Sequence, residues 1–266
     1  MGATDTTAQV MILPQGPVEA VNDMDVSVGR LRAPRATRKR KPGRPQKSAR
    51  AADAREAILD AAENLFAHHG LDAVSVRDVS RKAHVDTALV HYYFETKRGL
   101  FDAVFARRAE ILNRKRIAAI DAYQANPGPG GVTIEGLIDA FLHPLFDVSV
   151  NGGPRWKDYF AIIAQVNNNP DWGGETMARF FDPVIRHLIA ALRRTLPQAR
   201  DEDLFWSYHF LSGALTLTFA QTGRIDRLSN GLCKSSDFEA ASARLSRYIA
   251  AGFRAVCVPA RKGAKP

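Results

Sequence analysis

Residues 75–97 read SVRDVSRKAHVDTALVHYYFETK, and the order of capping residues in this stretch decides the fold. Ser75 is a strong helix N-cap, and Asp78 stands three residues on, the spacing of a capping box. The short helix that follows turns Val76, Val79 and Ala83 inward and Arg77, Arg81 and Lys82 outward. It breaks at His84-Val85-Asp86. Asp86 caps a second short helix that reaches Tyr92 or Tyr93, with Val90 and Phe94 as its buried pair. Thr96 opens a longer helix whose apolar stripe runs Leu100, Phe101, Val104, Phe105, Ile111, Leu112. Upstream, Asp53 and Glu56 have the spacing of another capping box, with Asp in place of Ser or Thr. Ile58, Ala62, Leu65 and Phe66 form a stripe there, and Gly70 suits a left-handed stop.

Two short helices three residues apart, the second too polar on one face for a core, read as a helix-turn-helix. The major groove of DNA admits one helix, and residues on its first turn reach base edges. Here those are Thr87, Ala88 and Leu89, with His91 one turn further. Small apolar groups suit thymine methyls, while Thr and His hydrogen-bond base edges. Arg77, Tyr92, Tyr93 and Lys97 around them are donors of the kind that grip phosphate. Taken alone, Tyr92-Tyr93-Phe94 reads as core aromatics and Arg77 as a solvated charge. Within the full pattern only Phe94 reads as purely core.

Working outward, the chain of 266 residues is 45% hydrophobic, enough for a sizeable core. That excludes a collagen, a disulfide scaffold and a fully disordered protein. No stretch alternates as strands would, so an all-α protein of about nine helices is expected. After the cluster Asn126-Pro127-Gly128-Pro129-Gly130-Gly131, helices are expected near 133–149, 155–168, 174–196, 201–222 and 236–257. Pro144 and Pro183 should kink or divide two of them. There is no run of 18 apolar residues, so no membrane span is expected. MGATDTTAQVMILPQG has no basic region before a long apolar stretch, so no export signal is expected, and Cys233 and Cys257 should stay reduced in the cytoplasm.

Charge is unevenly placed. Lys and Arg number 37 against 28 Asp and Glu, a net charge of +9. Arg30 to Arg50 holds ten basic residues and no acid, so the whole positive excess sits there. Pro34, Pro42 and Pro45 forbid a continuous helix in this arm. Its charge suits a polyanion, and nucleic acid and an anionic membrane surface both stay open, though the prolines disfavour an amphipathic membrane helix. Lys41-Pro42-Gly43-Arg44-Pro45 resembles an AT-hook: an extended Arg44 between prolines can enter a narrow A·T-rich minor groove. A merely solubilising or non-specific tail is the equal alternative. Residues 1–51 thus read as a disordered tail and basic arm, and 259–266 as a basic tail.

The stretch 54–104, AREAILDAAENLFAHHGLDAVSVRDVSRKAHVDTALVHYYFETKRGLFDAV, resembles the DNA-binding domain of the TetR family of transcriptional regulators. The resemblance covers about 52–110, with the helix-turn-helix near 76–95. It implies contact roles for Arg77, Thr87, Ala88, Leu89, His91, Tyr92, Tyr93 and Lys97 on double-stranded DNA. One position departs: the family's turn carries Gly where this chain has His84, which accepts a positive φ better than a β-branched residue does. For residues 111–258 the resemblance is looser and implies a ligand-binding and dimerisation domain. Two copies would pair through helices 201–222 and 236–257, placing recognition helices about 34 Å apart on a near-palindromic operator. FFDPVIRHLIAALRRTLP and DLFWSYHFLSGALTLTFA resemble fatty-acid-responsive members, without assigning a ligand.

Trp156, Phe160, Gln165, Phe181, His187 and His209 are the candidates for a small, partly apolar effector, each with a structural reading beside it. No catalytic residue, cofactor or metal is expected. GxSxG, HExxH, P-loop and GxGxxG motifs are absent, and His68-His69 and His84 lack a ligand set. The expected function is a homodimeric repressor released by an effector. An activator of the same architecture is the alternative, with an all-helical enzyme behind it. Removing residues 30–50 should lower operator affinity and flatten its dependence on log salt, because ten cations leave the phosphates. An unchanged slope in a salt titration would place the arm off the DNA.

Overall fold

The computed structural model describes residues 47–257. These form ten helices: α1 Lys47–Ala73, α2 Val76–Ala83, α3 Thr87–Phe94, α4 Lys97–Ala125, α5 Ile134–Asn151, α6 Pro154–Asn167, α7 Gly173–Thr195, α8 Asp201–Phe219, α9 Arg224–Leu228 and α10 Phe238–Cys257. No strand occurs among the described residues. The tenth helix, beyond the expected nine, is α9, whose five residues are too few to show a period.

The caps around α2, α3 and α4 sit where the sequence puts them. The Asp78 amide donates to Ser75 Oγ at 3.2 Å and the Ser75 amide to Asp78 Oδ2 at 3.0 Å, closing the capping box. Hydrogen bonds from Ser75 hold the Asp78 carboxyl below its usual pKa. Asp86 accepts the Ala88 amide at 2.7 Å, and Thr96 accepts the Gly99 amide at 2.9 Å. His84 ends α2 in the left-handed region, at φ 55° and ψ 42°. Gly70 breaks α1 at φ 80° and ψ 161°.

Two expectations, the start of the first helix and the end of the basic arm, are corrected. Asp53 does not start a helix: α1 begins at Lys47, and Asp53 is an exposed residue within it. Lys47-Ser-Ala-Arg-Ala-Ala contains no Gly or Pro, so helix propensity carries through, and the last four residues of the expected arm are helical. Of the two outcomes expected at Pro144 and Pro183, a kink or a division, division does not occur: α5 and α7 run through both. An internal proline costs about 3 kcal/mol. In α5, Leu137, Ile138, Phe141, Leu142, Leu145 and Phe146 are buried around Pro144 and offset that cost. The predicted ends of α8 and α10 differ from the observed ones by two or three residues, within ordinary fraying.

In the N-terminal part, α1 packs on α2 and α4 through Ile58, Leu59, Ala62 and Phe66, with Val79, Val90 and Phe94 closing the core. Phe66 meets Phe101 of α4 edge-on at 5.5 Å. The C-terminal part packs α5 between α4 and α10, and α8 against α6 and α10. α4 belongs to both: its 29 residues give about 43 Å of rod. Across α1 and α4, buried Glu63 accepts from Arg107 and from Arg108, the latter at 2.8 Å. Burial works against the Arg107 charge, yet Glu63 and Asp60 outweigh it and raise its pKa.

His84 generates a test. A non-glycine residue in the left-handed region costs about 1–2 kcal/mol, and glycine's extra freedom in the unfolded chain costs about 0.5–1. His84→Gly should therefore stabilise the protein by about 0.5–1 kcal/mol, seen as a Tm rise of a few degrees. A lower Tm would mean the His84 side chain itself contributes to the turn.

Candidate nucleic-acid interface

α3 stands on the core through buried Val90 and Phe94, which leaves its opposite side to solvent. Ala88 and His91 are exposed; Thr87 and Leu89 are half-buried. Thr87 Oγ1 lies 3.0 Å from Ser80 Oγ, so the first turn of α3 is pinned to α2 across the break. The Nδ1 atom of His91 lies 3.1 Å from the Glu95 carbonyl, which directs the ring along the helix. Tyr92 is 79% exposed, and its ring meets that of Tyr93 edge-on at 5.2 Å. Arg77, exposed on α2, has no partner for its guanidinium among the described residues, whereas neighbouring Arg81 pairs with Asp78 at 2.8 Å.

Tyr93 and Lys97 are engaged within the chain. Tyr93 donates its one proton to the Ala51 carbonyl at 3.0 Å, tying α3 to the start of α1. The Lys97 ammonium donates to the Leu71 carbonyl at 3.0 Å and the Asp72 carbonyl at 3.3 Å, beyond the Gly70 break of α1. One of its three N–H groups has no acceptor among the described residues. Arg44 lies outside the described residues.

The C-terminal helices enclose a cavity of about 50 Å³ lined by α4, α5, α6, α7 and α8. Of the effector candidates, Phe160 and Phe181 line it. Four other candidates do not. Trp156 is buried against Tyr159 and beneath Arg108. Gln165 donates to the Ala67 carbonyl of α1 at 2.9 Å. Nε2 of His187 lies 2.7 Å from Asp121 Oδ1. His209 is exposed, its ring edge-on to Trp206 at 5.6 Å. Periodicity finds aromatic positions but not which neighbour each one faces.

Sequence reasoning missed Arg116, which lines the cavity and is 4% exposed. Its guanidinium carbon lies 3.6 Å from the Phe141 ring centroid, and its Nε donates to the Phe141 carbonyl at 3.3 Å. Burial pushes its pKa down to about 10, so it stays cationic at neutral pH. The available signal was its position: Leu112, Arg116 and Ile120 recur at helical spacing on the apolar stripe of α4, where a charge is out of place.

Residues 58–104 match the profile of bacterial regulatory proteins of the tetR family. Residues 139–252 match the tetracyclin repressor-like C-terminal domain. The two matches together span more than half of the chain. The chain belongs to the TetR family of transcriptional regulators. Among TetR-family relatives, the HTH-type transcriptional regulator BetI of Agrobacterium fabrum is 36% identical over 66 residues, 25% of this chain and 32% of that protein. BetI of Burkholderia mallei is 26% identical over 157 residues, 56% of this chain and 72% of that protein. The crystal structure of FadR from Bacillus subtilis in complex with stearoyl-CoA superposes with a TM-score of 0.55 at 12% identity, over 74% of this chain and 98% of that one. At that identity the likeness speaks for the TetR fold alone.

The exposure of Arg77 makes a prediction. Arg77→Ala should weaken binding about uniformly across duplex sequences and reduce the salt slope by about 1, with stability changed by no more than about 0.5 kcal/mol. Retardation assays across a salt series check it. A loss confined to one sequence would make Arg77 a base reader instead.

Proposed function

We propose that this TetR-family protein is a homodimeric repressor whose operator binding is relieved by an effector held among the C-terminal helices. The observation that carries the reading is the pairing of an exposed surface on α2 and α3 with an apolar face elsewhere that no described residue covers. On α8, Trp206, Phe210 and Leu217 are 52, 58 and 65% exposed and follow one another at helical spacing. On the adjoining α10, Tyr248 is 74% exposed and Val256 43%. A side chain added at Gly213 or Gly252 would meet nothing within 4 Å, so both helices present open backbone on this side. Apolar surface of this extent favours a partner, and a second copy is the economical one, because a two-fold axis through α8 and α10 would pair each stripe with itself.

In the proposed complex, the first turn of α3 enters the major groove with Thr87, Ala88, Leu89 and His91 at the base edges. Arg77, Tyr92 and the free N–H of Lys97 hold the flanking phosphates. Tyr93 acts from behind by fixing α3 to α1. Arg44 is proposed to enter the minor groove, a role supported by its setting in Pro42-Gly43-Arg44-Pro45. Effector control is supported by the cavity lying on α4, the helix that also braces α1. A hundredfold loss of DNA affinity requires about 2.8 kcal/mol of differential effector binding between the two states. Among the described residues no helix is long and apolar enough to cross a membrane, and the proposed place of action is the cytoplasm, with the operator.

The double substitution Trp206→Glu and Phe210→Glu places charges in the proposed two-fold face. It should yield a folded monomer by light scattering and lower operator affinity by about a hundredfold or more, since one half-site loses its tether. A variant that stays dimeric, or a monomer with full affinity, would overturn the dimer reading.

A further inference from the structure

Two charged side chains are fully interior among the described residues, Glu63 and Arg116, and they are treated differently. Glu63 is answered by two guanidinium groups. Arg116 is answered by none: no carboxylate pairs with it among the described residues. Its Nε–H has the Phe141 carbonyl, and the four remaining N–H groups find no acceptor among the described residues. The nearby hydroxyl of Tyr159 is likewise buried without a partner. Stacking on Phe141 offsets only part of the cost of burying the cation, because an isolated interior charge costs several kcal/mol. Such a group persists where something else neutralises it.

We propose that the cavity takes a compact organic monoanion, with its carboxylate on the Arg116 fork and its apolar body against Phe160, Phe181 and Ile185. This rests on the reading that the C-terminal helices hold an effector, and it names that effector's chemical class. The walls select the body: the polar lining beyond Arg116 is Asn167, Tyr208, Ser212 and Thr216, and Asn167 is already bonded to Thr216 at 2.9 Å. Charge selects the head. One buried guanidinium neutralises one negative charge, so a monoanionic carboxylate leaves no excess. A phosphate monoester at about −2 would leave an uncompensated charge in an apolar site. The planar fork also matches a carboxylate through two parallel hydrogen bonds. A cavity of about 50 Å³, against the ~150 Å³ that holds a benzene ring, restricts the body to one or two carbons.

The test is calorimetric titration of the full chain at neutral pH with sodium acetate, against ethanol, ethylamine and sodium chloride. Acetate should bind at least about tenfold tighter than the other three. Arg116→Met, which keeps the stem and removes the charge, should bring acetate down to the level of ethanol. Ala164→Leu, in the cavity wall, fills the space and leaves Arg116 in place; it should abolish acetate binding and decides the matter should the first variant fail to fold. Equal binding of ethanol or chloride, or acetate binding that survives either substitution in folded protein, would overturn the proposal. DNA retardation is read separately. Acetate binding without DNA release leaves this assignment standing and overturns release by it. Retention of DNA binding with no acetate binding overturns this assignment and leaves the regulator reading intact.

Discussion

Leu100, Phe101, Val104, Phe105, Leu112 and Ile120 lie along one side of α4 and are all buried. At about 1.5–3 kcal/mol for each fully buried large apolar side chain, this stripe is among the largest single contributions to the fold. Its two ends serve different neighbours. Phe101 packs on Phe66 of α1 at 5.5 Å and on Trp172 at 5.4 Å. Phe105, one turn on, meets Tyr159, Phe180 and Phe181 at 5.2–5.8 Å. Leu112 then lines the cavity. Phe181 thus meets Phe105, Phe105 stacks on Phe101, and Phe101 meets α1, a continuous run of ring contacts.

A second route runs outside the stripe. Arg98, in the first turn of α4, stacks over Trp172 at 4.6 Å, and Arg179 of α7 pairs with Asp102 at 2.7 Å. On the other side, Asn64 of α1 donates to Asp158 of α6 at 3.1 Å, and Arg155 reaches Asp60 at 2.6 Å. α2 and α3 are thus carried on a platform of α1 and α4 that is braced from α6 and α7. Most of these pairs are partly exposed and each contributes little stability, about 0–1 kcal/mol. Their effect is to set the angle of α1 relative to the cavity helices.

Legibility in the sequence followed the range of the interaction. Ser75, Asp86 and Thr96 were readable because a cap bonds to amides two or three residues away. Asp53 misled because its spacing is equally at home inside a helix, and only the propensity of Lys47–Ala52 decides. Phe160 and Phe181 were found in the cavity, but Gln165 and His187 were taken by Ala67 and Asp121, partners 98 and 66 residues distant. Tyr93 shows the same limit: its neighbours mark it as a surface donor, and its proton goes to Ala51. The exposed face of α8 was visible only as an aromatic-rich helix. Which rings are covered depends on α6 and α10, whose approach no local pattern records.

The two backbone breaks that bracket α2 differ in what they permit over evolutionary time. The angles of His84 lie in a basin that Asn, Asp and His visit at modest strain, so lineages carrying this fold can wander through several residues there. Gly70 sits where ψ of 161° accompanies a positive φ, a region open in practice to glycine alone. Drift should therefore leave position 70 frozen while position 84 varies, although the two turns are fourteen residues apart and frame the same helix.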